Sequence, residues 1–177
     1  MQKMIRAFAR SVVAALALPA MLLASPAQAA GGKGSTFENA LLQLIFNASA
    51  ISQLALNASS SPATNLCVAL HTSSPAAGGT QSTNEAAYTS YARVQVARTS
   101  SGWTVTSNSV SPASTIVFPA ATGGSETETY FSIGLPTTGG ACTGAQEMLY
   151  FGPISPTISV STGITPELGA STVATEN

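Results

Sequence analysis

An alternation of period two that begins at Leu66 constrains the fold of this chain more than any other feature. Leu66, Val68 and Leu70 fall on one side of an extended chain, and the residues between them fall on the other, because successive side chains of a strand point to opposite faces. The same alternation returns at Val94 and Val96. We therefore predict a strand over 66–71 with one apolar face, and a second strand around 94–96.

The chain continues as short apolar runs separated by glycine or proline at 119, 123–124, 139–140 and 153. Such regular strand and turn spacing is typical of a β-sandwich or barrel, and the lack of strand–helix alternation disfavours a parallel sheet. The predicted fold class is mainly β, an antiparallel β-sandwich that is jelly-roll-like. Its further predicted strands are 115–118, 129–133, 147–151 and 157–160.

One amphipathic α-helix is predicted before the strands. Ser35 stands three residues before Glu38, which is the pattern of a capping box. The predicted helix ends by Ala58, because the proline at 62 disfavours helical backbone just before it. The apolar residues that recur at helical spacing are Phe37, Leu41, Leu44, Ile45, Ala48 and Ile51.

Two connections and the C-terminus carry predictions of their own. The 73–90 segment is rich in small and hydroxyl residues, which predicts a long surface loop and a candidate contact element. Residues 100–102 predict the tight turn of a hairpin that leads into the strand beginning at Trp103. The stretch around 171–174 is either a final edge strand or a loose tail.

The N-terminus has the order of a cleavable secretion signal: a basic start, an apolar stretch over 12–24 and the small-residue exit Ala27-Gln28-Ala29. We predict cleavage between Ala29 and Ala30, and export to the periplasm, cell surface or medium. The apolar stretch is too short for a permanent membrane anchor. The predicted organisation is a signal peptide over 1–29, a glycine-rich joint over 30–35 and a single helix-plus-β-sandwich domain over 36–177.

Charge limits the classes of partner that we expect, and the cysteine content allows a disulfide. After residue 29 only Lys33, Arg93 and Arg98 are basic, against seven acidic residues, so nucleic acid, which needs clustered Lys or Arg, is not a predicted partner. Arg93 and Arg98 are candidates for interface anchors that pair with carboxylates, or for ordinary surface ion pairs. An oxidising compartment would permit Cys67 and Cys142 to form a disulfide. Two separate thiols are the open alternative.

Few residues suggest catalysis. His71 is the one histidine and could serve as a base beside a serine, but no nucleophile-elbow motif accompanies it, and we interpret it as a strand-surface or packed side chain. Glu126 and Glu128 could form a glycosidase-like carboxylate pair, although a solvated edge that discourages strand addition is the simpler interpretation. We predict no catalytic residues, no metal site and no cofactor.

Aromatic residues leave two interpretations open. They could form a stacking surface for a surface glycan, or they could fill the core and interfaces, which is the interpretation we favour. The residues concerned are Tyr88, Tyr91, Trp103, Tyr130 and Tyr150.

The order of the segments from about residue 35 to 166 resembles a family of short tailed-phage tail fibre proteins. The resemblance implies a β-sandwich virion component that packs against copies of itself or other capsid or tail proteins, with no catalytic residues to carry over. The motifs that carry it are Phe37-Glu38-Asn39-Ala40-Leu41-Leu42, Leu66-Cys67-Val68-Ala69-Leu70-His71-Thr72, Tyr91-Ala92-Arg93-Val94-Gln95-Val96, Trp103, Ile116-Val117-Phe118-Pro119-Ala120, Thr129-Tyr130-Phe131-Ser132-Ile133-Gly134 and Leu149-Tyr150-Phe151-Gly152.

These observations lead to one hypothesis and two alternatives. The first is a non-enzymatic, prophage-derived structural protein that resembles a phage tail fibre or virion-surface subunit and is located on the virion. The second is an exported bacterial cell-surface or filament subunit, favoured by the leader. A secreted carbohydrate-binding module is the weaker alternative. The first two imply protein partners, either a homo-oligomer or virion or filament neighbours.

Overall fold

The computed structural model describes residues 35–50 and 62–175 of the chain. All of these residues belong to one compact unit, Gly32–Asn177. The predicted signal peptide, its cleavage site between Ala29 and Ala30 and most of the glycine-rich joint lie outside the described residues. They therefore stay predictions.

The described residues form one α-helix and nine β-strands. The helix α1 spans Ser35–Asn47 and carries Glu38 in its first turn, where a carboxylate is favoured by the helix dipole. The strands are β1 (Asn65–His71), β2 (Val94–Ala97), β3 (Trp103–Thr106), β4 (Ser109–Pro112), β5 (Ile116–Val117), β6 (Ser125–Gly134), β7 (Met148–Ser161), β8 (Glu167–Leu168) and β9 (Ala174–Thr175).

The strands form three antiparallel sheets. The largest has the order β2-β1-β6-β7, and the others are β3-β4-β9 and β5-β8. In the large sheet Val68 lies opposite Ile133, and Leu70 lies opposite Phe131. The mainly β, antiparallel fold with one N-terminal helix is confirmed.

One apolar cluster joins all three sheets and the helix. Val68 from β1, Trp103 from β3 and Leu168 from β8 belong to it, and none is more than 3% exposed. Phe46 of α1 packs against Trp103 with 4.9 Å between the ring centroids. The amphipathic face of the helix therefore closes the core, since most helical stability in proteins comes from burying such a face.

The helix ends well within its predicted limit. α1 ends at Asn47, before the predicted limit at Ala58, and the residue after Asn47 has a left-handed φ of 54°. The guanidinium of Arg98 donates hydrogen bonds to the carbonyl oxygens of Leu44 and Ile45, which the last turn of a helix leaves without partners. A side chain that is distant in the sequence thus satisfies carbonyl oxygens at the end of the helix.

The predicted hairpin at 100–102 is wrong. β2 lies in the large sheet, whereas β3 lies in the three-stranded sheet, so the turn carries the chain from one sheet to another. Gly102 is required by close packing, because a Cβ atom there would lie 2.1 Å from the carbonyl oxygen of Ala97. The local turn signal was correct, but it could not identify β4 as the partner of β3.

Two predicted strands are one. β7 spans Met148–Ser161 as one strand, and Pro153, predicted to separate two strands, lies inside it. The pairing of β7 with β6 shifts register between Pro153 and Ile158. Proline is tolerated there because β7 is the outer strand of its sheet, where an amide on the unpaired side is not needed. The short strand β4 was missed, since Val110 is its one apolar residue besides a proline. The C-terminal β9 pairs with β4, which favours a final strand over a loose tail.

The 73–90 segment is more than the predicted surface loop. It forms a bridge between His71 and Glu85, and it buries Gln81 and Tyr88, which are 0% and 3% exposed. The segment therefore covers part of the large sheet and supplies side chains to the interior.

Candidate functional site

The 73–90 segment covers a polar cluster on the large sheet. All residues of β1 after its first are buried, so the face that was predicted to alternate with the apolar one is also inside the protein. His71 and Ser132, on the neighbouring strands β1 and β6, and Gln81, on the covering segment, are each 0% exposed. We therefore consider this cluster of three buried side chains first as a candidate site.

His71 has a defined hydrogen-bonding state. Its Nδ1 lies 2.9 Å from the carbonyl oxygen of Thr83, and its Nε2 lies 2.8 Å from the hydroxyl oxygen of Ser132. Because a carbonyl oxygen only accepts, Nδ1 carries the hydrogen, and the Ser132 hydroxyl donates to Nε2. Burial lowers the pKa of the imidazole, which disfavours its charged form.

A serine, an imidazole and an orienting acceptor are the parts of a nucleophilic hydrolase site. Here Ser132 and His71 are both 0% exposed, so a substrate carbonyl has no access to the hydroxyl. The bonds instead connect β6, β1 and the 73–90 segment. The structure thus places His71 as a packed side chain, one of the two predicted interpretations, and not on the strand surface.

Gln81 completes the cluster and was not identified from the sequence. Its Nε2 donates to the carbonyl oxygen of Cys67 at 2.8 Å and lies 3.4 Å from the Ser132 hydroxyl. A Cβ atom on Gly134 would lie 2.4 Å from the amide carbon of Gln81, so the glycine makes room for it. A glutamine in a hydroxyl-rich segment carries no local signal of burial, which is why it was missed.

Glu126 and Glu128 do not form the predicted solvated edge, since β6 lies between β1 and β7. One Glu126 carboxylate oxygen accepts hydrogen bonds from the backbone amides of Ala87 and Tyr88, both at 2.8 Å. Glu128 is 0% exposed. Burial, and secondly the neighbouring Glu126, raises the pKa of Glu128 to about 8, because a desolvated carboxyl beside a carboxylate keeps its proton.

Arg93 forms an internal ion pair in place of the predicted surface or interface pair. Its Nε and Nη2 donate to the two carboxylate oxygens of Glu85 at 2.6 and 2.7 Å, and Nη2 also donates to Ser82 at 3.0 Å. The Arg93 side chain is 3% exposed. Its bidentate geometry is that of a strong charge-assisted pair, and it holds the 73–90 segment against the start of β2.

The structure joins Cys67 and Cys142 in a disulfide, with 5.5 Å between their Cα atoms. The bond ties β1 to the connection between β6 and β7. The backbone amide of Gln81 donates a hydrogen bond to the backbone carbonyl oxygen of Gln146, in the same connection, at 3.1 Å. The polar face of the large sheet is therefore covered by two segments that are bonded to each other.

The aromatic residues are used mainly inside the fold. Tyr88 and Trp103 are buried, and the Tyr91 hydroxyl accepts a hydrogen bond from the amide of Leu70 at 3.0 Å. The ring pairs are Phe46–Trp103, Phe46–Tyr150, Tyr88–Tyr91 and Tyr91–Phe118. A sugar-stacking surface that includes Tyr88 and Trp103 is therefore wrong, and core packing is the use that the structure gives them.

Two features are absent from residues 35–50 and 62–175. No group of three or more His, Cys, Asp or Glu side chains there is placed to hold a metal ion. In the same described part of the chain, no helix has the length and apolar character needed to cross a bilayer.

The fold and the cluster together define an antiparallel β domain with an N-terminal helix and a covered polar face. The sequence matches the family described as Podophage GP4 fiber I protein gp80 over residues 32–173. The match covers well over half of the chain, so the protein belongs to this family of podophage fibre proteins. The resemblance to short tailed-phage tail fibre proteins is confirmed. No curated protein matches the sequence.

Proposed function

We propose that this protein is a non-enzymatic structural subunit of a phage fibre or virion surface and that it works by binding other protein subunits. The observation that carries the proposal is the family match over residues 32–173.

The use of the reactive side chains supports a role without catalysis. Ser132, His71 and Glu128 are each 0% exposed, and Glu126 holds two backbone amides of the 73–90 segment. Groups that an enzyme would present to a substrate are here inside the protein. Burial of this kind favours a scaffold that presents its surface to partners.

Incorporation into particles tests the structural role. Phage particles purified on a density gradient are analysed by mass spectrometry, next to particles from a strain that lacks the gene. We expect the protein at a fixed copy number per particle, and loss of fibres or of host adsorption in its absence. Expression in the infected cell without any protein in the particles would contradict the proposal.

A conservative substitution tests the absence of catalysis. Ser132→Ala removes the hydroxyl that faces His71, and Ser125→Ala is its control on the exposed start of the same strand. We expect both variants to enter particles and to support adsorption equally. If Ser132→Ala particles assemble normally but lose infectivity at adsorption, the hydroxyl has a chemical role and the proposal is wrong.

One observation favours the alternative of an exported cell-surface or filament subunit. The disulfide between Cys67 and Cys142 suits an oxidising compartment, as does the predicted signal over 1–29. Intact mass measured on particle, periplasmic and medium fractions separates the two functions. A mass for residues 30–177 outside the cytoplasm, with polymer on the cell, would favour the alternative, whereas protein confined to DNA-containing particles favours the phage subunit.

Carbohydrate binding is the weakest of the three functions. Four of the five aromatic residues on which it depended pack in ring pairs or against the core, namely Tyr88, Tyr91, Trp103 and Tyr150. Tyr130 is half-buried and belongs to neither group. Phe151, which is 38% exposed, is one aromatic side chain still presented to solvent. A glycan array that shows no binding would remove this function.

A further inference from the structure

The two outer strands of the large sheet differ in length and charge. β2 has four residues and is bounded by Arg93 and Arg98, and short or charged edges resist pairing with other chains. β7 has 14 residues and no charged side chain. Of the two, β7 is the long edge without charged side chains, and its prolines protect only the part before Thr157.

The last five residues of β7, Thr157 to Ser161, form the part of that edge best suited to pairing. Pro153 and Pro156 lack amide hydrogens and interrupt the earlier part. Among the described residues, no backbone group of 157–160 bonds outside the pairing with β6, and Ser161 makes one further bond, in the turn to Ile164. The amides and carbonyls of alternate residues along 157–160 point away from β6 and are therefore open.

The space beside this edge is also open. A cavity of about 640 Å³ lies between the 153–159 part of β7 and the 167–173 part of the chain. Val173 at its border is 52% exposed, and Leu168 and Phe131 form its apolar floor. The 167–173 part of the chain therefore does not fill the space against this part of β7.

The sequence of this edge is complementary to itself about Ser159. Antiparallel pairing of two copies around this residue places Thr157 opposite Ser161 and Ile158 opposite Val160. Hydroxyl residues then face hydroxyl residues, and β-branched residues face β-branched residues, which are favourable cross-strand pairs. No like charges oppose each other, because the strand carries none.

The faces of the strand agree with this pairing. Thr157, Ser159 and Ser161 are exposed, whereas Val160 is buried and Ile158 is half-buried on the core side. A strand added in this register would continue both the polar outer face and the apolar inner face. A two-fold axis through Ser159 satisfies both copies at once, as an isologous interface requires.

We propose that two copies of this protein associate by antiparallel pairing of β7, centred on Ser159, which joins their four-stranded sheets into one continuous sheet. The inference rests on the proposed function, because it names a second copy as the partner of the structural subunit. The edge of one copy supplies the missing partner for the edge of the other.

Charge substitution at the two-fold axis tests the pairing in the purified full-length protein. Ser159→Lys places two ammonium groups opposite each other, and like charges there destabilise a sheet. We expect the dissociation constant of the dimer, measured by sedimentation equilibrium, to rise about tenfold or more. An equimolar mixture of Ser159→Lys and Ser159→Glu should restore the dimer, because opposite charges then meet at the axis.

The matched control lies one strand away. Thr127 is exposed and pairs with Ser159 across β6 and β7, so Thr127→Lys adds the same charge to the same face without touching the axis. We expect it to leave the dimer unchanged, with circular dichroism showing all variants folded. A monomeric wild type, an unaffected Ser159→Lys variant or a mixture that fails to restore the dimer would each overturn the pairing.

The failure of this proposal is distinct from the failure of the proposed function. If the Ser159→Lys variant enters phage particles normally, the structural role stands and the proposed β7 interface fails. If the protein dimerises through β7 but never enters particles, the proposed interface stands and the phage role fails.

Discussion

At the scale of single residues, the polar interior combines groups that sequence reasoning placed on the surface or did not consider. Glu128, Gln81 and Arg93 are buried or nearly so. Gln81 and Arg93 bond to residues of other segments, whereas the Glu128 carboxyl oxygens have no hydrogen-bond partner among the described residues. Burying such groups is unfavourable unless they are hydrogen-bonded or neutralised. The fold neutralises Glu128 by holding its proton and satisfies Arg93 with Glu85.

The raised pKa of Glu128 predicts a pH dependence of stability. Its folded pKa of about 8 lies above the ordinary value of 4.5, so the folded state binds a proton that the unfolded state lacks between these values. Stability from this group is therefore fully present below about pH 4.5 and is lost as pH rises toward 8. The free energy of unfolding should fall by at most roughly 1.4 kcal/mol per pH unit from this group.

Glu128→Gln should remove that slope, because the amide resembles the protonated carboxyl and does not titrate. Urea unfolding at pH 5, 7 and 9 measures it, and the stability of the variant relative to wild type should rise with pH. Glu147→Gln, at an exposed position, is the control and should leave the slope unchanged. Parallel pH profiles for wild type and Glu128→Gln would contradict the assignment.

At the scale of elements, the ends of α1 and β2 depend on each other. Arg98 follows β2 in the chain and donates to the carbonyl oxygens of Leu44 and Ile45 at the end of α1, and to that of Ala63 at 3.2 Å. One guanidinium thus connects three segments. Its planar set of donors suits this task better than the single ammonium of lysine.

Arg98→Ala should therefore fray the last turn of α1. The loss of charge-assisted hydrogen bonds should lower the free energy of unfolding by about 2 kcal/mol. Hydrogen exchange should speed up at the amides of 42–47 more than at those of β6. The loss of stability in Arg98→Lys should lie between that of Arg98→Ala and the wild type. Hydrogen exchange that rises equally at all amides would show that Arg98 has no local role at the helix.

The turn between β2 and β3 gives a second element-scale prediction. At Gly102→Ala the new Cβ would lie 2.1 Å from a backbone oxygen, so the turn must move, at a cost of about 1–3 kcal/mol. Gly139→Ala is the control, because its nearest atom would be 3.9 Å away. Thermal unfolding should show a lower Tm for the first variant and little change for the second.

At the scale of the whole molecule, the covering segments and the large sheet form one bonded unit. The 73–90 segment is attached through His71, Glu126 and Arg93, and the connection between β6 and β7 is attached by the disulfide of Cys67 and Cys142. The polar face of the sheet is covered in this way, whereas the edge at β7 stays open among the described residues. This edge is the surface at which we propose that a second copy binds.

The disulfide should stabilise the whole domain, because it closes a loop with a sequence separation of 75. We expect reduction, or Cys142→Ser, to lower the free energy of unfolding by about 2–5 kcal/mol. Urea unfolding with and without reductant measures this, and intact mass should increase by about two daltons on reduction. Identical unfolding curves and masses under both conditions would contradict a disulfide in the native protein.

Local patterns in the sequence determined the class of the fold and the start of the helix. The alternation from Leu66 correctly predicted β1, the glycine and proline spacing predicted a mainly antiparallel β chain, and the capping box at Ser35 and Glu38 predicted where α1 begins. These features depend on neighbours within a few residues, through backbone geometry and side-chain period. They can therefore be inferred from the sequence alone.

Tertiary structure alone decided which strands pair and which polar groups are buried. The separation of β2 from β3, the end of α1 at Arg98 and the burial of Gln81 and Glu128 each depend on contacts between segments far apart in the chain. Arg98 and Leu44, for example, are separated by 54 positions. Propensity and periodicity act over a few residues, so they carry no information about contacts that exist only after the sheets have packed.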